Sequence, residues 1–317
     1  MTDRIVLRVG TRGSDLALWQ TGWISERLRA AHPSLEIERI IIKTHGDTAR
    51  DQPFDENWPV GGFVGAIEQA LSAERIDLAV HSYKDLQTAV TPGLTIAAIP
   101  RREVAHDILV TRDPVDLDAL PAGFRIGTSS PRRIAQLERL GNVIIVAIRG
   151  NVPTRIAKIN QAGLDGVVLA AAGVKRLGLV VPHAIELPPD RFVPAPAQGA
   201  LAVQTREEGS TAELVRVLDH GPTRRAVEAE RSFLRAVGAG CHTPVGALAT
   251  VDGTAIRLHA QLFSDDRRRC AEGIETGDDC AAVGRRLAER LMRELGERGA
   301  SDGASAHNGV DEGGDAA

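Results

Sequence analysis

Short apolar runs alternate with amphipathic stretches from the start of this chain to about Arg206. Arg4–Val9 and Glu36–Lys43 read as strands. Between them Ser14 stands as an N-cap for a helix over Asp15–Ala30, because its oxygen can accept from the free N–H groups of the first turn. Phe63–Ala73 reads as a helix and Ile76–Val80 as a buried strand. The strand series continues through Leu94–Ile99, His106–Thr111, Phe124–Gly127, Val143–Ile148, Gly166–Ala171 and Ala200–Gln204. Helices fit between them at Arg132–Leu140, Val152–Gln161 and Val174–Leu179. This alternation predicts an α/β fold of mixed, mostly parallel sheet with helices on its faces.

Punctuation along the chain divides it further. Breaks near Pro100–Arg102 and in the PAPAQG stretch around Pro194–Gln198 suggest two lobes joined by two crossings, with a ligand cleft between them. Lobe 1 is expected over 1–100 and 197–219, and lobe 2 over 101–196. From Thr223 the pattern changes to a helix over Thr223–Val237, a hairpin turning at Asp252-Gly253, and a helix over Asp278–Leu295. That makes a small α+β domain over 220–298, and the Gly/Ala/Ser/Asp-rich tail, 299–317, is expected to be disordered.

Composition narrows the function classes. With 317 residues, 43% apolar and 25% charged, the chain is of globular type. A net charge of −4 argues against general nucleic-acid binding, so arginine clusters must be judged by position. Three cysteines, Cys241, Cys270 and Cys280, with no CxxC pair, suit a reducing compartment and no metal site. The N-terminal MTDRIVLRVG lacks a signal-peptide run, and no stretch approaches the roughly 20 apolar residues of a membrane span. A cytoplasmic protein is expected.

Five stretches carry candidate chemistry. Thr128-Ser129-Ser130-Pro131-Arg132-Arg133 sits where a strand runs into a helix, with free N–H groups, hydroxyls and two cations to meet an anion. The same residues would also make a capped helix with solvated arginines. Arg149, Arg155 and Arg176 follow other strand ends, and Arg12 follows the first strand. Open α/β sheets bind ligands at that edge. Arginine grips carboxylates through paired, charge-assisted hydrogen bonds, so the set suggests a ligand with several carboxylates or phosphates. In His81-Ser82-Tyr83-Lys84-Asp85, the acid at a strand end can act as a general acid or stabilise a cation, or can simply pair with Lys84. Cys241 stands in the glycine-rich Gly238-Ala239-Gly240-Cys241-His242, which suits an accessible thiol as well as a small buried residue.

Together these stretches resemble the porphobilinogen deaminase (hydroxymethylbilane synthase) family. The matches VGTRGSDLALWQ, IDLAVHSYKDL, GTSSPRRIAQL, IRGNVPTRIAKI, VVLAAAGVKRLGL, PAPAQGALAV and AERSFLRAVGAGCHTPVGA come in the family's order and reach to about Gly296. The resemblance implies two lobes like those of periplasmic binding proteins and a small third domain. It implies a monomer that condenses four porphobilinogen molecules, with loss of ammonia, on a covalent dipyrromethane primer. The matching attachment residue is Cys241 and the matching catalytic acid Asp85. By the same resemblance Lys84, Thr128, Ser129, Ser130, Arg132 and Arg133 hold the primer, and Arg12, Ser14, Arg149, Arg155, Arg176 and Gln198 line the substrate side. Each pyrrole ring brings two carboxylates, which matches the arginine load. The chain departs from the family in DQPFDENWPVGGF, a shorter, lysine-free loop, expected over Gln52–Gly62 to cover the occupied cleft, and at His45 and Gln87. A non-catalytic poly-anion-binding protein on the same scaffold is the alternative. It would need the arginines but neither Asp85 nor a modified Cys241.

Overall fold

A computed structural model describes the backbone of residues 5–44, 64–181, 183–238 and 243–305, and all their side chains except those of 5 and 297–305. The expected covering loop, His45 and Cys241 lie outside the described residues. β1 (Ile5–Thr11), β2 (Leu35–Ile41), β3 (Leu78–Ser82) and β4 (Leu94–Ala98) form a first sheet with the much later β10 (Leu201–Arg206), in the order β2-β1-β3-β10-β4. α1 (Asp15–Ala31) and α2 (Gly65–Ser72) flank it. Ile24 and Leu28 of α1 bury against Val9, Leu78, Val80 and Val203, so one apolar helix stripe covers one sheet face.

The second sheet contains β5 (Asp107–Thr111), β6 (Phe124–Gly127), β7 (Val143–Val146), β8 (Gly166–Ala170) and β9 (Ala184–Leu187), in the order β7-β6-β8-β5-β9. α3 (Pro131–Glu138), α4 (Val152–Gln161) and α5 (Ala171–Arg176) connect its strands. Every residue of β5 is buried, as a central strand covered on both faces requires. Each sheet has two parallel and two antiparallel pairings, a more even mixture than the alternation suggests. The cause is that β10 and β5 each arrive across the molecule from the other sheet, and so run against their neighbours.

The third unit packs α7 (Gly221–Ala236) and α8 (Cys280–Ser305) on a meander of β11 (Val245–Asp252), β12 (Ala255–Phe263) and β13 (Cys270–Gly277). A short α6 (Thr211–Val215) precedes it. Phe233, Leu258, Leu287 and Leu291 sit in its core. α8 runs on to Ser305, which takes residues 299–305 of the expected disordered tail into the helix. Extending a packed helix needs no new nucleus, so weak helix formers can follow it. No helix among the described residues is long and apolar enough to cross a membrane.

Candidate active site

Two clusters of side chains meet where the sheets' strand ends face each other. The first is a cavity lined by Arg12, Ser14, Gln20, His81, Ser82 and Asp85. β3 ends at Ser82, and a single 3-10 turn over Tyr83–Asp85 then lifts Asp85 to an exposed position. Ser14 caps α1 by accepting from the Ala17 N–H at 3.4 Å, so its hydroxyl already serves the helix. Gln20 donates to the Ser82 hydroxyl at 2.9 Å.

The second cluster joins the two sheets. Lys84 donates to Gln198 Oε1 at 3.2 Å, and Gln198 Nε2 donates to Asp107 Oδ1 at 2.8 Å and to the Ala105 carbonyl at 2.7 Å. Buried Asp107 also accepts from Arg132 at 2.8 Å and from Arg133 at 2.7 Å and 3.2 Å. Burial alone would raise the Asp107 carboxyl, but the two guanidinium groups outweigh it and hold the acid well below the usual carboxylate range. Arg132 further donates to Gln136 and the Val193 carbonyl, and Arg133 to the Val168 carbonyl. The expected anion-gripping arginines are thus turned inward. Two cations against one carboxylate still leave one net positive charge under the cleft.

The remaining expected residues surround these clusters. Lys84 lies open to water but walled by protein, and that desolvation lowers its ammonium to about 8, with Asp85 working the other way. Desolvation also brings Arg155 to about 10, helped by Arg133 and opposed by Asp85, so it stays charged at neutral pH. Arg149 and Arg155 stand at the two ends of one junction within electrostatic reach of each other, and Arg155 is anchored on the Gly150 carbonyl at 2.8 Å. Arg176 donates to the Gly199 carbonyl at 2.8 Å and lies 5.9 Å from the Trp19 ring, so it spans from lobe 2 to α1. Ser129 is tied to Ile148 N and O at 3.0 Å and 2.9 Å. Thr128 Oγ1 accepts from Ser130 N at 3.2 Å, whereas the Ser130 hydroxyl makes no cap bond although its residue occupies the cap position.

Three groups outside the sequence expectations hold this arrangement. Asp107 was legible in principle, since a lone acid opening an apolar run that reads as a buried strand must be paired. Glu230 of α7, fully buried, accepts from Arg102 at 2.5 Å and 3.2 Å, from Ala197 N at 2.6 Å and from Ala249 N at 2.8 Å. It therefore ties both crossings to the third unit. Its neighbour Arg231 lies 4.5 Å from the Tyr83 ring and donates to the carbonyls of Leu86 and Gln87, so the same helix holds the turn that carries Asp85.

An exposed acid at a strand end, cations converging from two lobes and a third unit braced against the hinge define a two-lobed enzyme for a small, multiply charged anion. Comparison with known proteins gives the family. A family model described as "Porphobilinogen deaminase, dipyromethane cofactor binding domain" matches residues 7–213, and one for the porphobilinogen deaminase C-terminal domain matches residues 224–293. The porphobilinogen deaminase of Syntrophus aciditrophicus (strain SB) is 42% identical over 290 residues, covering 90% of this chain and 95% of the relative. That of Roseiflexus castenholzii (strain DSM 13941 / HLO8) is 42% identical over 295 residues, covering 92% and 97%. That of Nocardia farcinica (strain IFM 10152) is 44% identical over 305 residues, covering 92% and 87%. Solved structures overlap loosely: the methionine-binding protein MetQ has a TM-score of 0.41 at 14% identity, covering 68% of this chain and 90% of that one. The chain belongs to the porphobilinogen deaminase family.

The donor set suits the dipyrromethane that the family domain binds. Two pyrrole rings carry four carboxylates. The cleft meets them with Lys84, Arg149, Arg155, the surplus charge of the Arg132–Arg133–Asp107 cluster and the hydroxyl of Ser130, which makes no cap bond.

Proposed function

We propose that this chain is a hydroxymethylbilane synthase, a cytoplasmic monomer without nucleic-acid or membrane partners. It condenses four porphobilinogen molecules, releasing ammonia at each step, and frees the linear tetrapyrrole by hydrolysis. Cys241 carries the dipyrromethane through a thioether. When bound, that group supplies the nucleophilic pyrrole carbon to which rings are added. The alternative, a binding protein, has no use for an exposed acid held between cations.

The observation that carries the reading is the position of Asp85. Its carboxylate stands in the cavity with Arg12, and within electrostatic reach of Lys84 from its own lobe and Arg155 from the other. The cations hold the substrate's carboxylates and turn its N–H groups toward the acid. Asp85 can then accept a pyrrole N–H hydrogen bond, stabilise the positive charge that grows as the amine departs, and take the proton shed from the α-carbon of the ring that attacks. Thr128, Ser129, Ser130, Arg132 and Arg133 serve the primer side, and Ser14, Arg149, Arg176 and Gln198 the substrate side.

The mass of the denatured protein tests this, because a thioether survives unfolding. Wild type should exceed its chain mass by two pyrrole units. Cys241→Ser should lose the adduct and the activity together, and Cys270→Ser and Cys280→Ser should keep both. Asp85→Ala should abolish turnover with the fold retained. A bare wild-type chain from a host that makes tetrapyrroles would overturn the assignment.

A further inference from the structure

His81 is a member of the cavity wall whose polarity is dictated from behind. It lies on β3 and lines the cavity with Arg12, Ser14, Gln20, Ser82 and Asp85. Its Nε2 is 3.0 Å from Gln204 Oε1. Gln204 Nε2 in turn donates to Glu68 Oε1 at 2.8 Å, and the Thr91 hydroxyl donates to Glu68 Oε2 at 2.9 Å. A carboxylate only accepts hydrogen bonds, so the amide nitrogen of Gln204 must face Glu68 and its oxygen must face His81. An amide oxygen also only accepts, so Nε2 must carry the proton. A neutral ring protonated at Nε2 has its lone pair on Nδ1. Burial keeps the ring neutral, bringing the imidazole down to about 4; Glu68 and Gln204 oppose that shift and Arg12 adds to it.

The rest of the wall explains what such an atom is for. Arg12 in the wall, and Lys84 next to Asp85 in the chain, can only donate, and they suit the carboxylates of an anionic ligand. A substrate that also presents N–H groups needs acceptors. We propose that His81 is a substrate-binding residue whose bare Nδ1 accepts a hydrogen bond from an N–H of the incoming pyrrole, with Glu68 and Gln204 as positioning residues that fix its tautomer. This rests on the proposed function. It adds a neutral acceptor to the charged one at Asp85, so that an N–H can be held without a second anion confronting the substrate's carboxylates.

Two-bond proton–nitrogen NMR of the histidine-labelled holoenzyme at neutral pH reads the tautomer directly. The expected result is a single neutral form with the proton on Nε2. A proton on Nδ1, or on both nitrogens, would overturn the proposal. Glu68→Gln releases the amide of Gln204 to turn over, and the Nδ1-protonated form should appear; an unchanged single tautomer would remove Glu68 from the positioning role. Two substitutions separate binding from scaffolding. The oxygen of Asn falls near Nδ1 and the amide of Gln near Nε2. His81→Asn should stay within about threefold of wild-type kcat/KM, and His81→Gln should lose about tenfold, the worth of one hydrogen bond. A purely structural histidine reverses that order, since Gln keeps the bond to Gln204. The tautomer is read without turnover, so a failed tetrapyrrole assay would sink the function and leave the histidine result standing.

Discussion

At the scale of single residues, the chemistry was legible where a charged group stood at a strand end, and hidden where it was buried. Asp85 and the junction arginines were visible because a short apolar run led into each of them. Asp107 also begins such a run, yet its partners Arg132 and Arg133 are 25 and 26 residues away, and nothing local points from one to the other. Removing its charge while keeping its shape should therefore be costly. Asp107→Asn leaves two buried guanidinium groups without a counter-charge, and breaking a buried pair in this way costs about 3–5 kcal/mol. Denaturant unfolding should show a loss of that size. The acid limb should change as well. Because the folded carboxyl is held below its unfolded value, its contribution is complete above the unfolded pKa of about 4 and drains away as the pH falls further. In the Asn variant, stability should depend less on pH below that point.

At the scale of elements, the periods and caps read well and the edges did not. Val152–Gln161 forms the helix that its sequence predicts, with Asn151 accepting from Thr154 N at 2.9 Å as the cap. Ala171, expected as the last residue of a strand, instead opens α5, in keeping with alanine's preference for helix over sheet, whereas Ala170 ends β8 as expected. β13 is not expected from the sequence because CAEGIETG is rich in Gly and Glu, which strands disfavour; it holds its place as an edge strand pairing with β12. The hairpin turn sits one residue later than expected, at Gly253-Thr254, since Asp252 pairs with Ala255. A positive φ of 55° at Gly253, with none at Thr254, makes it the II′ kind that places Gly first. The crossing strands depend on another glycine. Gly199 has φ 84°, and a Cβ there would lie 2.5 Å from the Glu103 carbonyl oxygen and 2.6 Å from that of Val104. Gly199→Ala should push the two crossings apart and lower stability by about 1–3 kcal/mol. Arg176 and Gln198 are anchored on the same stretch, so its KM for porphobilinogen should rise too. A variant with wild-type melting and KM would show that the crossings need not lie so close.

At the scale of the whole molecule, the division into lobes was suggested by two proline-marked breaks, whereas the strand orders could not be read from periodicity, which carries no information about neighbours. Charge acts at this scale too. With Lys84 brought to about 8, its ammonium is present through neutral pH and lost above that value. Binding of a polycarboxylate should therefore weaken as the pH rises through about 8, and the Lys84→Met variant should lose that limb; persistence of the limb would assign it to another group. The two sheets, β2-β1-β3-β10-β4 and β7-β6-β8-β5-β9, follow one plan: a parallel trio, then an antiparallel strand supplied from across the hinge, then an edge strand. That plan sets a timetable on the ribosome. The second sheet has all its strands once Leu187 has emerged, but the first must wait for Leu201–Arg206, more than a hundred residues after β4. Until then the nascent first lobe holds Leu78–Ser82 beside an empty lane, with its inner edge unpaired and open to any passing strand. Of the two lobes, the N-terminal one is thus begun first and finished second, and the chain closes the cleft in the same step that completes the lobe bearing Asp85.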